Sequence, residues 1–114
     1  MLTKENRLRN DKDFKKVFKL SRPVYAGRLA LRKSENRFGL VRFGFVISNK
    51  IDKRATRRNG LKRRLRAKAK ELISGVKPGY DVLVVVKESY PFPYNYKEIS
   101  ADMEGGLRKL DLKK

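Results

Sequence analysis

The period of the hydrophobic pattern changes twice between Phe38 and Lys87, and this leaves few folds open. Val41, Phe43, Phe45 and Ile47 recur at every second residue, the spacing of one face of a β-strand running from about Phe38 to Ser48. From about Thr56 to Ser74 the spacing becomes helical: at ~100° per residue, Leu61, Leu65, Ala69, Leu72 and Val76 fall within a sector of roughly 80°. Gly75 and Lys77-Pro78-Gly79 stop the helix and turn the chain. Tyr80 to Lys87 then carries an unbroken aliphatic centre, Val82-Leu83-Val84-Val85-Val86, suited to a strand covered on both faces. A strand, helix, strand succession of this kind implies a parallel crossover, with the helix packed on the sheet.

The flanking segments complete one layered unit. Asn10 or Asp11 can cap a short helix that sets Phe14, Val17 and Phe18 at i, i+3 and i+4, and Ser21-Arg22-Pro23 ends it. A strand is expected near 24–33, followed by a polar turn at Ser34-Glu35-Asn36-Arg37, and pairing of this strand with the next as a hairpin. A last helix from about Asn95 carries Ile99, Met103, Leu107 and Leu110 on one side. Gly105-Gly106 within it costs ~1 kcal/mol per Gly relative to Ala, which predicts fraying or a break. No repeat or linker interrupts residues 1–114, so the expected architecture is a single α+β domain, an α-β sandwich of order α-β-β-α-β-α.

The helix of the crossover is also where the charge is concentrated. Lys50 to Lys70 holds eleven Lys and Arg against Asp52 alone, so 11 − 1 = +10 of the chain's net +19 lies in about a fifth of its length. Such density is self-repelling unless a polyanion neutralises it, and nucleic acid is the commonest such partner in a cell. The helical wheel sorts these cations. Asn59, Lys62, Arg63, Arg66 and Lys70 share one flank of the apolar stripe, and Arg57, Arg64 and Lys68 lie on the other.

Several function classes drop out. Without Cys there are no disulfides or thiolate metal sites, and without His the commonest general base and zinc ligand are absent. The longest aliphatic run, five residues, is far short of the ~20 needed to span a bilayer, and Met1 to Phe14 lacks the apolar centre of a signal peptide. A cytoplasmic chain is expected. Paired acids can hold two catalytic metals, but Asp11 and Asp13 are explained by helix capping, and Asp52 and Asp81 have no regular spacing to other acids. No protein-borne active site or metal site is expected.

Phe45-Val46-Ile47-Ser48-Asn49-Lys50, followed by Ala55-Thr56-Arg57-Arg58-Asn59-Gly60-Leu61-Lys62-Arg63-Arg64-Leu65-Arg66, resembles the signature of the bacterial ribonuclease P protein subunit. The resemblance extends to Asn6-Arg7-Leu8, to Asp13-Phe14-Lys15-Lys16-Val17-Phe18-Lys19 and to Pro78-Gly79-Tyr80-Asp81 with the aliphatic run after it. It implies the ribosomal S5 domain 2-like fold with a left-handed βαβ crossover, against the right-handed rule. It also implies a monomeric protein in a ribonucleoprotein whose RNA subunit, with bound Mg2+, removes the 5′ leader from precursor tRNA.

Residue by residue, the resemblance assigns Lys50, Arg58, Asn59, Lys62, Arg63 and Arg66 to binding of the catalytic RNA, with Arg57 and Lys70 beside them. The wheel puts Arg58 at the edge of the apolar stripe, where it can instead steady the helix N-terminus. Gly60 stands where the family usually has a second Arg, a contact that is either missing or supplied by Arg57, and Asn49 stands at a position that is often Lys. Phe14 and Phe18 match the aromatics of the cleft that holds the precursor-tRNA leader, with Tyr25 and Arg32 nearby; the same two Phe also satisfy the spacing of an ordinary core. Phe43 and Phe45 read as core. A ribosomal-type or RNA-chaperone binding module is the alternative function for the same composition.

Overall fold

A computed structural model describes residues 2–114. Three helices and four strands follow one another as α1 (Asp11–Leu20), β1 (Val24–Ala26), β2 (Leu29–Glu35), β3 (Arg42–Val46), α2 (Ala55–Leu72), β4 (Tyr80–Val86) and α3 (Tyr96–Lys109). The strands form one sheet in the order β1-β2-β4-β3. β3 and β4 pair in parallel, with Phe43 opposite Val82 and Phe45 opposite Val84, so α2 is the crossover helix that the change of period predicts.

Two expectations about the first strands are corrected. The segment near 24–33 is two strands that form a hairpin of their own, bent at Gly27, where φ is +57° and an added Cβ would fall 2.0 Å from Asp102 Oδ1. The second strand then pairs antiparallel with β4 rather than with β3, from Leu29 opposite Val86 to Glu35 opposite Tyr80. β4 is apolar enough to be covered on both faces, so it takes the central position between them. The third strand is also shorter than its alternation implied, because residues 36–41 form a loop; Asn36 N–H donates to Gly79 O, and Asn36 Nδ2 to Leu40 O.

The register assigns the faces. Leu31, Val84 and Phe45 lie side by side on the face covered by α2 and α3, where Leu61, Leu65, Ile99, Met103 and Leu107 complete the larger core. Phe43 is buried there and Phe45 half-buried, their rings stacked with centroids 6.2 Å apart. On the opposite face Arg32, Leu83 and Gly44 lie side by side, and α1 covers them with Val17 and Phe14 in a smaller cluster that includes Leu8. Asn10 caps α1, its side chain accepting from Lys12 N–H, and Asn95 caps α3 in the same way.

α3 does not break at Gly105-Gly106. It runs through both, because a Cβ at Gly106 would sit 2.3 Å from Leu31 Cδ1, and the bare backbone is what lets the helix lie this close to β2. The packing gained there offsets the intrinsic cost of the glycines. α2 ends at Leu72 and passes into a short 3-10 turn, Ile73–Gly75, so Val76 of the expected stripe is buried but lies beyond the helix.

Candidate nucleic-acid interface

α2 begins without an acidic first turn or a side-chain cap of its own. Asp52 substitutes: its carboxylate accepts from Arg54 N–H at 2.9 Å, and its backbone carbonyl accepts from Arg58 Nη1 at 2.7 Å. Arg58 therefore ties down the helix N-terminus, one of the two roles its place at the edge of the stripe allowed.

The two polar flanks differ in what surrounds them. Towards the loop after β4 and towards α3, Arg57 lies 4.1 Å from the centroid of the Phe92 ring and Arg64 5.4 Å from that of Tyr94. Arg64 Nη1 also donates to Gly60 O, and Lys68 pairs with Glu71 at 3.4 Å and with Glu104 at 3.9 Å. Arg57 thus stands on the flank away from Lys62 and Arg66, against the Phe92 ring. On the other flank Thr56, Asn59, Lys62, Arg63 and Arg66 line a groove that contains no acid. Among the described residues none of these cations, nor Lys70, makes an ion pair.

Around α1 the aromatics divide in the same way. Phe14 is half-buried over Gly44, where an added Cβ would be 2.8 Å from its ring, whereas Phe18 is 44 % exposed. Arg32 reaches from β2 beneath the end of α1, 5.0 Å from the centroid of the Phe18 ring, and donates to Ser21 O at 2.6 Å. Phe18 is therefore not a core residue; of the four apolar residues on that helix, Val17 alone is fully buried. The register aligns Tyr25, Ala30, Val85 and Val46 across the sheet on this face, with Tyr25 exposed and the two valines half-exposed. Lys50 joins the end of this row, lining a hollow with Val46, Ile51 and Val85.

Carboxylates are held by the fold. Asp81, 2 % exposed, takes both Arg42 nitrogens at 2.7 Å and Asn36 Nδ2 at 2.8 Å, and Asp13 approaches the same guanidinium at 3.4 Å. The bond to Asp81 raises the Arg42 pKa above its ordinary value. Asp102 accepts from Tyr90 OH at 2.7 Å and from Arg28 N–H. No three acidic side chains among the described residues are grouped as a metal site. No helix among them is long and apolar enough to cross a membrane.

The family model described as Ribonuclease P matches residues 2–111. The chain belongs to the ribonuclease P protein family. It is 37 % identical over 112 residues to the ribonuclease P protein component of a Pseudanabaena species, covering 96 % of this chain and 94 % of the relative. It is 33 % identical over 107 residues to that of Alkaliphilus oremlandii, covering 94 % and 92 %. Among solved structures, the Staphylococcus aureus RNase P protein aligns with a TM-score of 0.81 at 21 % identity, covering 96 % and 98 % of the two chains. The Thermotoga maritima protein aligns at 0.76 and 23 %, covering 90 % and 96 %. As a ribonuclease P protein, the chain is a subunit of an endoribonuclease complex and assists its RNA partner in tRNA 5′ processing.

Sequence reasoning did not single out Arg9, Phe38 or the pair Phe92 and Tyr94 as part of this surface. Arg9 lies outside the periodic segments, and Phe38 opens the expected strand off the alternation of Val41, Phe43, Phe45 and Ile47, so neither carried a signal of its own. The two loop aromatics meet α2 from thirty or more residues away, a contact with no local signal.

Proposed function

We propose that this chain, as one functional unit over residues 1–114, serves two RNA surfaces in the ribonuclease P complex and supplies no catalytic residue. The outer flank of α2, Asn59, Lys62, Arg63, Arg66 and Lys70, takes phosphates of the catalytic RNA, while Arg58 holds the helix start. The sheet face beside α1, with Phe14, Phe18, Tyr25, Arg32 and Lys50, takes the single-stranded 5′ leader of precursor tRNA. The Mg2+ of the reaction is held by the RNA subunit, and the site of action is the cytoplasm, where the protein enters the complex as a monomer.

The observation that carries this reading is the acid-free α2 flank, whose cations have no ion-pair partner among the described residues. Unpaired Arg and Lys on a rigid helix release counterions when phosphates replace them, which gives affinity to any polyanion of matching shape. On the other face, exposed aromatics beside a shallow apolar strip suit unpaired bases, each stack contributing ~1–3 kcal/mol. Binding of the leader distinguishes substrate from leaderless product, because only the substrate makes that contact.

The test is reconstitution with a bacterial ribonuclease P RNA and 5′-labelled precursor tRNA at low magnesium. Correct cleavage that is slow with RNA alone, stimulated by the protein and absent with protein alone is expected. Tight RNA binding without stimulation would overturn the reading, and so would cutting by protein alone. The cleft assignment is tested separately by Phe14→Ala with Phe18→Ala, which should weaken precursor binding and leave catalytic-RNA binding nearly unchanged; equal loss of both would refute it.

A further inference from the structure

Three grooves adjoin around the outer edge of the sheet, formed by β3. Arg7 and Arg9 line a groove with Phe14, Gly44, Lys62 and Arg66, and this groove meets the α2 flank through its last two residues. The same two arginines line a second groove with Phe38, Leu40 and Arg42, which also includes Glu5 and Asp13. Phe14 thus stands at one end of a continuous path, and Phe38 at the other.

Phe38 is 62 % exposed, yet its loop is held in place: its N–H donates to Asn36 Oδ1, and Asn36 Nδ2 donates to Leu40 O and to buried Asp81. One ring face rests over Arg42, 4.5 Å from guanidinium to centroid, which leaves the other open. The segment that carries Arg7 and Arg9 is also fixed, since Leu8 N–H donates to Phe43 O and Leu8 is buried. Arg9, which follows, is exposed and makes no ion pair among the described residues. Fixed cations followed by a fixed open aromatic match a single strand, with phosphates on the first and a base on the second. The structured RNA partner offers few unpaired bases, whereas the leader is unpaired, and the path starts at an aromatic of its proposed cleft.

We propose that the edge of the sheet is a track for the upstream part of the precursor leader, running from Phe14 past Arg7 and Arg9 to a base stacked on Phe38. This rests on the leader-cleft reading above and extends it. The chain contains no Trp, so Phe38→Trp provides a single emission reporter that stacking should quench. In the reconstituted complex, quenching is expected with a long-leader precursor and not with one trimmed to the nucleotides nearest the cut. Phe38→Ala should weaken long-leader binding roughly 5- to 150-fold, the loss of one stack, and leave the trimmed precursor unaffected. Arg9→Ala should lower the salt slope of long-leader binding by about 0.7.

Quenching by the catalytic RNA without precursor would assign the edge to that RNA and overturn the proposal. Unchanged emission while long leaders still bind more tightly than trimmed ones would overturn the track and leave the cleft standing. If leader length has no effect on affinity in the parent protein, the cleft reading falls with the track.

Discussion

The two flanks of α2 have similar composition and different fates. Arg57, Arg64 and Lys68 on the inner flank are occupied by Phe92, Tyr94 and the acids of α2 and α3, whereas Lys62, Arg63, Arg66 and Lys70 on the outer flank have no ion partner among the described residues. The charge of a basic helix is therefore divided between holding the fold together and what remains for a ligand, and net charge alone conflates the two. The difference predicts that cations with internal partners report in stability, and those without report in salt-dependent binding.

The strongest test of that division lies off the helix, at the cation paired with a buried carboxylate. Arg42→Ala would leave Asp81 buried without its bidentate partner and should cost about 3–5 kcal/mol in urea unfolding. A loss below about 1 kcal/mol would place Arg42 with the free cations. Next comes the clamp that holds the β4–α3 loop under the inner flank. Burial, and then the hydrogen bond to Asp102, raise the Tyr90 pKa above its ordinary value. The folded state thus keeps this proton more tightly than the unfolded chain does. The resulting stability is fully present below the unfolded value of ~10 and is lost as pH rises above it. Tyr90→Phe should flatten that alkaline decline and cost about 1 kcal/mol at neutral pH, both read from denaturation midpoints across pH.

Smaller still, Arg64→Ala with Lys68→Ala should lose about 0.5 kcal/mol of stability and barely alter the salt slope for the catalytic RNA. Arg63→Ala with Arg66→Ala should do the reverse. Stability should stay within about 0.5 kcal/mol, while the slope of log affinity against log salt falls by about 2. Equal slopes for the two double variants would erase the distinction between the flanks.

What could be read in advance follows the range of the interactions. The parallel crossover was legible because its two periods are local, and the wheel separated the flanks of α2 correctly. The pairing of β2 with β4 was not legible, since nothing in either strand names its neighbour; the hairpin at Gly27 was hidden because the turn interrupts an otherwise apolar run. Gly105-Gly106 misled because helix propensity is a local quantity, and the reason for the pair is the Leu31 side chain more than seventy residues away. At the candidate interface, the types and approximate positions of the cations were legible from the family signature and the wheel. Their partners were not: that the Phe92 ring stacks on Arg57, and that Lys50 lines a hollow with Val46 and Val85, could be seen only in the fold.

Gly44 has a consequence for distance. Because its missing side chain seats the Phe14 ring directly on β3, that ring is indexed to the same strand that leads, nine residues after its end, into the first turn of α2. One short strand thus acts as a spacer bar between the two surfaces proposed to meet RNA, and neither can shift along the sheet without moving the other. A side chain at position 44 would act less by loosening the protein than by changing that spacing, leaving each surface intact and the pair mismatched.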